Sequence, residues 1–270
     1  MKNFKVAIAQ MDIVSEKKEL NLKKADELSL IASEKGADFI CLPEYFSTGS
    51  IPEKFNELAE TIPGNTTNKL CEIAKKNKIA IAASIIEKSK DTLYNTAVLI
   101  DSKGDLLGKQ RKIHLFLEEA TVVSNGKKCE VISTVNGKIG LMVCYDTIFP
   151  EVSRKLAMNG AQMIFIPANW PDPFSTQWKI ALSARALDNQ IWIVAANRCG
   201  KDDTYTYFGK SMIINPYGEI VYECGNEEDL MVWEIELKKA DEFKAIINFL
   251  KDRKNIELST ETMDKTCIMN

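Results

Sequence analysis

The 270-residue sequence predicts a single α/β domain with a mixed sheet content. Strand and helix patterns alternate along the whole chain, and neither a Gly/Ser-rich linker nor a block of like charge divides it. No repeat of fixed period is visible. With 45% hydrophobic and 27% charged residues, the composition is that of an ordinary soluble globular protein with ample material for a core. We therefore expect one domain over residues 1–270.

The first half of the chain combines five strand patterns with two helix patterns. The strands are expected over residues 4–9, 38–42, 79–86 and 93–100 and in the approach to 109–112. These runs are short and apolar, and the later ones are rich in β-branched residues. A charged amphipathic helix over about 17–34 ends at Gly36, because glycine favours the left-handed conformation that follows many helices. The second helix, over about 66–77, is expected to begin with Thr66 or Thr67 as its N-cap.

The second half continues the same alternation and finishes in strands. The strands are expected over residues 129–134, 138–144, 162–167, 191–197, 210–215, 219–224 and 230–236. Helices are expected over about 150–159 and 175–189, with a short one from about 239. Pro150 fits the first turn of its helix, because proline lacks only an N–H group that would have no partner there.

Charge and hydropathy exclude several classes of partner. The formal net charge is −3, and the paired lysines lie among Glu and Asp residues, so we expect no nucleic-acid binding. No apolar run approaches the ~18 residues that a membrane span needs, so we expect no membrane partner.

The cysteines and the N-terminus indicate a cytoplasmic protein. The N-terminal sequence MKNFKVAIAQMD lacks the long apolar segment and cleavage site of a secretory signal. The seven cysteines are odd in number and scattered, and no pair has C-x-x-C spacing. We therefore expect reduced thiols, with neither a zinc site nor a disulfide framework.

Cys144 stands where a predicted strand meets a predicted helix. The apolar run Ile139 to Val143 leads into it, and Pro150 begins the helix beyond. Such corners expose a side chain and direct backbone N–H groups at it, which suits a nucleophile. A buried, inert thiol is the alternative for any single cysteine.

Two other strand ends carry unusual polar chemistry. Glu44 follows a buried strand and has aromatic neighbours, so burial would raise its pKa and make it a general base; the alternative is a loop-capping glutamate. Lys112 leads into an apolar segment and could present its charge to a site, or it could lie along the surface. His114 is the only histidine. A Cys-His enzyme would have to use it, but we expect a structural histidine and a carboxylate base, Glu44.

Three ordered motifs carry a resemblance to a known family. They are LPEYF at residues 42–46, KIHLF at 112–116 and CYDTIFPE at 144–151. The sequence resembles the nitrilase (carbon–nitrogen hydrolase) superfamily, in the branch of amidases and N-carbamoyl hydrolases, over about residues 4–236. The resemblance implies a four-layer α-β-β-α sandwich that assembles as a homodimer or higher homo-oligomer.

The resemblance also implies a Glu-Lys-Cys mechanism that needs neither a metal nor an organic cofactor. Cys144 would attack the substrate, Glu44 would act as the base, and Lys112 with the Tyr145 N–H would stabilise the oxyanion. A further glutamate would assist; Glu118 and Glu119 both lie in place, and the spacing favours Glu119. Tyr45 and Trp170 are expected to contact the substrate, in loops that also hold Phe116, Phe174 and Phe208.

The expected substrates are small amides or N-carbamoyl amines, cleaved with release of ammonia through a thioester. Ile148 stands where related enzymes that act on dicarboxylate monoamides carry an arginine, so an uncharged or amine-bearing substrate is favoured. Two alternatives remain open: an omega-amidase that acts on dicarboxylate monoamides, and a weakly active regulatory protein with an oxidisable Cys144. True nitrilase activity is disfavoured, because Tyr145 and Asp146 follow the cysteine.

Overall fold

The computed structural model describes residues 3–254 of the chain. The strands are β1 (Phe4–Gln10), β2 (Phe39–Cys41), β3 (Ala80–Ser89), β4 (Thr92–Ile100), β5 (Leu106–Arg111), β6 (Val131–Thr134), β7 (Gly137–Leu141), β8 (Met163–Ala168), β9 (Trp192–Asn197), β10 (Cys199–Lys201), β11 (Thr206–Phe208), β12 (Met212–Ile214), β13 (Ile220–Glu223) and β14 (Asp229–Ile235). The helices are α1 (Lys18–Glu34), α2 (Phe55–Leu58), α3 (Asn65–Asn77), α4 (Pro150–Met158), α5 (Ser175–Asn189), α6 (Lys238–Ile246) and α7 (Phe249–Asp252).

The strands form two mixed six-stranded sheets and a small hairpin. The first sheet has the order β14-β1-β2-β3-β4-β5, the second has the order β13-β12-β9-β8-β7-β6, and β10 pairs with β11. Within the first sheet β1, β2 and β3 are parallel neighbours. Within the second sheet β7, β8 and β9 are parallel neighbours. The carboxyl ends of parallel neighbours share one edge of a sheet, and open α/β sheets place their sites at that edge.

Successive side chains of a strand face opposite sides of its sheet, and this alternation produces the layers. Val6 and Ile8 of β1 belong to the core between the two sheets, where the rings of Phe39 and Phe165 lie 5.6 Å apart. The intervening Ala7 and Ala9 pack with α1 and α3 on the outer face of the first sheet.

Helices α4 and α5 cover the outer face of the second sheet. Gly140 of β7 lets α4 approach closely, because a Cβ there would lie 3.0 Å from Leu156 Cδ1. The α/β class and the α-β-β-α order of layers are confirmed.

Some predicted boundaries were wrong, and several elements had been missed. Helix α3 begins at Asn65 after Gly64, so Thr66 and Thr67 lie inside its first turn. Thr67 Oγ1 still accepts a hydrogen bond from the Gly64 N–H at 2.7 Å. The predicted strand 138–144 ends at Leu141, and the β10–β11 hairpin was not predicted.

The six cysteines among the described residues are free thiols. Cys267 and the end of the predicted domain lie outside the described residues. Within residues 3–254, none of the helices has the length and apolar character needed to cross a membrane.

Candidate active site

The three predicted residues meet where strands of both sheets end. Glu44 follows β2, Lys112 follows β5 directly, and Cys144 follows β7. Lys112 Nζ donates hydrogen bonds to Glu44 Oε1 at 2.8 Å and to Glu119 Oε2 at 2.6 Å. Cys144 lines the same cavity as these three residues, and the Glu44 carboxylate is close enough to raise the pKa of its thiol. The structure therefore brings Glu44, Lys112, Glu119 and Cys144 into one buried cluster.

Asn95 completes this cluster, although the sequence gave no reason to single it out. Its Nδ2 donates to Glu44 Oε1 at 2.7 Å and to Glu119 Oε1 at 2.8 Å. Its backbone carbonyl accepts from the Lys112 N–H at 2.8 Å. Asn95 thus bridges the two carboxylates and also places the backbone of the lysine. The one available signal was an amide in the middle of β4, a strand whose second half is apolar.

Glu119, and not Glu118, is the glutamate that reaches the cluster. Its Oε1 accepts from the Tyr45 hydroxyl at 2.6 Å, and its Oε2 accepts from the Phe116 N–H at 3.1 Å. Glu119 is only 6% exposed, so these contacts replace the water that would otherwise hydrate its carboxylate. Glu118 is exposed, and its Oε2 accepts from the Tyr205 hydroxyl at 3.4 Å.

Cys144 occupies a sharp backbone corner. Its φ is +47°, in the left-handed region that costs a side chain about 1–2 kcal/mol. It begins a one-turn helix over Cys144–Ile148, and the first N–H groups of a helix, including that of Tyr145, have no intrahelical partner. The strand-to-helix corner predicted from the sequence is therefore present, with a short helix between β7 and α4.

Asp146 connects this corner to the lysine segment. The carboxylate is fully buried and accepts hydrogen bonds from the backbone N–H groups of Val143, Ile113 and His114. Asp146 follows Cys144 by two residues and binds the two residues that follow Lys112. It therefore fixes the Cys144 segment relative to the Lys112 segment. A buried acid with three backbone donors has this structural role without touching the cluster.

His114 lies outside the cluster. Its Nδ1 is 3.0 Å from Asp146 Oδ1, and its ring stacks on Phe149 with the centroids 3.6 Å apart. Neither Glu44 nor Cys144 is among its hydrogen-bond partners within the described part of the chain. These contacts fit the structural role expected from the sequence.

The charges of the cluster shift one another's pKa. Burial raises the pKa of Glu44 above its ordinary value; the Lys112 ammonium opposes that rise and the Glu119 carboxylate adds to it. Burial would lower the pKa of Lys112, but the two carboxylates raise it well above its ordinary range. Burial would raise the pKa of Glu119, but the contacts with Lys112 outweigh it and the pKa is lowered.

The surroundings of Cys144 favour the protonated thiol over the thiolate. Burial and the neighbouring Glu44 carboxylate raise the pKa of Cys144 well above its ordinary value. Because only a thiolate is a strong nucleophile, such a thiol needs a base in contact at the moment of attack. Glu44 lines the same cavity as Cys144, and its raised pKa suits that transfer.

Two cavities meet at Cys144 and share Phe116, Asn169 and Pro171. We call the first, of about 200 Å³, the polar lobe; its lining includes Glu44, Tyr45, Glu53, Lys112, Glu118, Glu119 and Tyr205. We call the second, of about 340 Å³, the apolar lobe; it adds Tyr145, Ile148, Trp170, Phe174 and Gln177. Tyr45 and Trp170 thus line the cavities at Cys144, whereas Phe208 lines a separate cavity.

Asn169 is a second residue that the sequence did not single out for a role. Its backbone N–H donates to Glu44 Oε2 at 3.0 Å, and Glu44 N–H in turn donates to Ala168 O at 3.4 Å. The end of β8 in the second sheet therefore holds both the backbone and the carboxylate of Glu44, which follows β2 of the first sheet. Within residues 3–254, no group of three or more His, Cys, Asp and Glu side chains is arranged to hold a metal ion.

Sequence comparisons place this site in a family. The family model described as carbon-nitrogen hydrolase matches residues 5–245. The chain is 34% identical to the omega-amidase NIT2 of Mus musculus, over 94% of this chain and 96% of the relative. It is 34% identical to the 2-oxoglutaramate amidase of Bacillus subtilis, over 92% and 96% of the two chains. A protein of Pyrococcus abyssi named nitrilase is 38% identical over 86% of this chain and 90% of its own.

Solved structures agree with this placement. Nit3 of Saccharomyces cerevisiae, a nitrilase-superfamily member, superposes with a TM-score of 0.88 at 28% identity, covering 94% of this chain and 97% of that one. The amidase of Nesterenkonia sp. AN1 superposes with a TM-score of 0.84, also at 28% identity, covering 93% and 96%. In that structure, a variant, acrylamide has added to the active-site cysteine. The chain therefore belongs to the carbon–nitrogen hydrolase family of the nitrilase superfamily.

Proposed function

We propose that this carbon–nitrogen hydrolase is an amidase in which Cys144 forms a thioester with the acyl group of a small amide. The observation that carries the proposal is the single cavity that Cys144 shares with Glu44 and Lys112, in which Lys112 and Asn95 hold the buried Glu44 carboxylate in place. A structural cysteine needs neither a base nor a buried ammonium beside it.

Acylation begins when Glu44 takes the thiol proton as Cys144 Sγ attacks the amide carbon. The carbon–sulfur bond forms, and the carbonyl oxygen becomes an oxyanion. When the tetrahedral intermediate collapses, the C–N bond breaks and Glu44 returns its proton to the departing nitrogen, which leaves as ammonia. The thioester remains on Cys144.

The oxyanion requires donors that are fixed before the reaction. Lys112 Nζ and the Tyr145 N–H are the proposed donors, and each such donor typically contributes about 3–4 kcal/mol. Lys112 is suited to this role because Glu44 and Glu119 raise its pKa and hold its Nζ in one position. Glu119 acts through Lys112 and is proposed as a positioning residue.

Hydrolysis of the thioester repeats the same proton transfers. Glu44 takes a proton from water as the water oxygen attacks the thioester carbon, and the C–S bond then breaks. The products are the carboxylic acid and the Cys144 thiol. Tyr45 and Trp170, which line the two lobes, are the proposed substrate contacts. No step calls for a metal or an organic cofactor.

Two substrate classes compete, and different observations favour each. The relatives named omega-amidase and 2-oxoglutaramate amidase favour a dicarboxylate monoamide, so the comparisons support this alternative better than our first expectation. That expectation, a neutral amide or N-carbamoyl amine, rests on Ile148, which lines the apolar lobe where an arginine would hold a carboxylate.

We also propose that the enzyme acts as a homodimer or higher homo-oligomer in the cytoplasm. Ile180 and Leu187 of α5 are 64% and 41% exposed, which supports an interface on this outer helix. The free thiols of the described cysteines support a reducing compartment.

Ammonia release from a substrate panel tests the proposed function. The panel holds a neutral amide, an N-carbamoyl amine, a dicarboxylate monoamide and a nitrile, each incubated with wild type and Cys144→Ala. We expect turnover of at least one amide by wild type only. Ammonia release from the nitrile alone would show that the enzyme is a nitrilase and not an amidase. If the folded wild type released no ammonia from any compound, the alternative of a regulatory protein with an oxidisable Cys144 would be favoured.

A further inference from the structure

The polar lobe is negatively charged. Glu53 and Glu118 line its exposed part, and Glu44, Lys112 and Glu119 line its buried part. Among the described residues that line either lobe, Lys112 alone is basic, and its Nζ already contacts both buried carboxylates. An excess of carboxylates in a cleft attracts cations and repels anions.

Neighbouring basic residues do not reverse this charge, because each is paired with a carboxylate. Lys54 is next to Glu53 in the chain, but its Nζ is paired with Glu16. Arg198 lies over the ring of Tyr207, which lines the lobe, and is paired with Asp202. Glu118 contacts the Tyr205 hydroxyl, which is uncharged. The Tyr205 ring also lines the lobe, and an aromatic face attracts a cation.

Asn169 supplies an independent sign that a polar ligand belongs here. The residue is 9% exposed and lines both lobes beside Cys144. Neither Oδ1 nor Nδ2 of its side chain has a hydrogen-bond partner among the described residues. A buried polar group without a partner costs about 1–3 kcal/mol. A substrate amide can remove that cost, because it offers both a donor and an acceptor.

We propose, building on the amidase function above, that the polar lobe is a subsite for a positively charged substituent of the substrate. Asn169 pairs with the amide group beside Cys144, and Glu53 and Glu118 attract an ammonium group at the other end of the substrate. The enzyme therefore prefers amides that bear an ammonium group to amides that bear a carboxylate.

This preference separates the chain from relatives to which it is otherwise similar. The substrate in the name 2-oxoglutaramate amidase carries a carboxylate. A carboxylate in the polar lobe of this protein would approach Glu53 and Glu118, and in the apolar lobe it would meet Ile148 and aromatic rings. Neither lobe offers it an unpaired cation among the described residues.

Binding to Cys144→Ala tests the subsite without any turnover. The probes are 5-aminopentanamide, hexanamide and adipamate, which have the same four-methylene chain and end in an ammonium, a methyl and a carboxylate. Calorimetry at low ionic strength should give the ammonium amide an affinity about tenfold above that of adipamate, a difference of about 1.4 kcal/mol. The affinity of hexanamide should lie between these two, and added salt should reduce the difference in affinity between the ammonium amide and adipamate.

Charge variants identify the residues responsible. In the Cys144→Ala background, Glu118→Gln should weaken the ammonium amide about three- to fivefold and leave hexanamide unchanged, as expected for a partly exposed ion pair. Glu57→Gln removes the same charge from a nearby exposed position outside both lobes and should change nothing. The proposal is overturned if adipamate binds best, if the three affinities are equal or too weak to measure, or if Glu118→Gln has no effect.

Turnover by the wild type distinguishes a failure of the subsite from a failure of the amidase function. If adipamate released ammonia with the highest kcat/KM of the three probes, the amidase function would stand and the subsite proposal would be wrong. Selective binding of the ammonium amide with no ammonia release from any probe would keep the subsite and count against amide hydrolysis.

Discussion

Lys112 Nζ lies 2.8 Å from Glu44 Oε1, and the two side chains are only 2% and 3% exposed. A buried ion pair of this kind contributes little net stability, but removing one partner leaves an uncompensated charge inside the protein. Its value here is positional, because it holds the proposed base and the proposed oxyanion donor next to each other.

Replacing Lys112 with Met should reduce kcat far more than it changes KM. The variant loses a donor that acts on the oxyanion, so kcat should fall on the order of 10²–10³-fold. Steady-state kinetics on a folded sample, verified by circular dichroism, checks this. An effect on KM alone would show that Lys112 binds substrate without stabilising the oxyanion.

Asn95→Asp should raise the pKa that governs activity. A third carboxylate beside Glu44 and Glu119 disfavours the ionised base, so the acid side of the pH–rate profile should move to higher pH. The replacement nearly preserves shape, which separates an electrostatic effect from a packing defect. An unshifted profile with reduced kcat would assign Asn95 a purely structural role.

The wild-type pH profile itself carries information about Glu44. Its pKa is raised by burial, so the ionised base is lost as the pH falls through a value above the ordinary glutamate range. We expect kcat/KM to decline on the acid side at that higher pH while the protein remains folded. A decline at the ordinary glutamate pKa would indicate that a solvated carboxylate is the base.

The ion pairs of Glu87 with Arg111 and Lys109 contribute to the stability of the first sheet away from the site. Arg111 donates to both of its oxygens at 2.8 Å, and the pKa of Glu87 is lowered to about 2: burial would raise it, but the contacts with Arg111 and Lys109 outweigh burial. Its stabilisation is present above the unfolded pKa of about 4.3 and is lost as the pH falls through about 2.

Glu87→Gln should therefore lower the free energy of unfolding at pH 7 by about 2 kcal/mol, a figure reduced for the partial exposure of Lys109 and Arg111. Urea unfolding of variant and wild type at pH 7 and at pH 3 measures the difference. The difference in unfolding free energy between variant and wild type should be smaller at pH 3 than at pH 7. An equal difference at the two pH values would mean that the variant loses packing and not a charge interaction.

The positions of Glu44, Lys112 and Cys144 could be predicted because each ends a strand or follows one. Strand patterns can be recognised in the sequence, and the motifs around these residues fixed their order along the chain. The choice of Glu119 over Glu118 also followed from spacing, and the structure places Glu119 against Lys112.

Asn95 and Asn169 could not be predicted, because their importance depends on contacts between segments far apart in the sequence. Asn95 lies 51 residues from Glu44 and Asn169 lies 125 residues from it, and neither has a distinctive local pattern. The β10–β11 hairpin was missed for a different reason. Its strands are only three residues long, which is too short for an alternating pattern to mark them.

The most direct test of the account is the mass of the protein quenched during turnover of an amide. We predict a wild-type species heavier by the acyl group, with the added mass on the peptide that contains Cys144. Cys144→Ala should show no adduct, and His114→Asn should keep both the adduct and the activity, because the His114 side chain contacts Asp146 and Phe149 and, within residues 3–254, hydrogen-bonds neither Glu44 nor Cys144. An acyl group on another residue, or turnover by folded Cys144→Ala above about a hundredth of the wild-type rate, would contradict the assignment of Cys144 as the nucleophile.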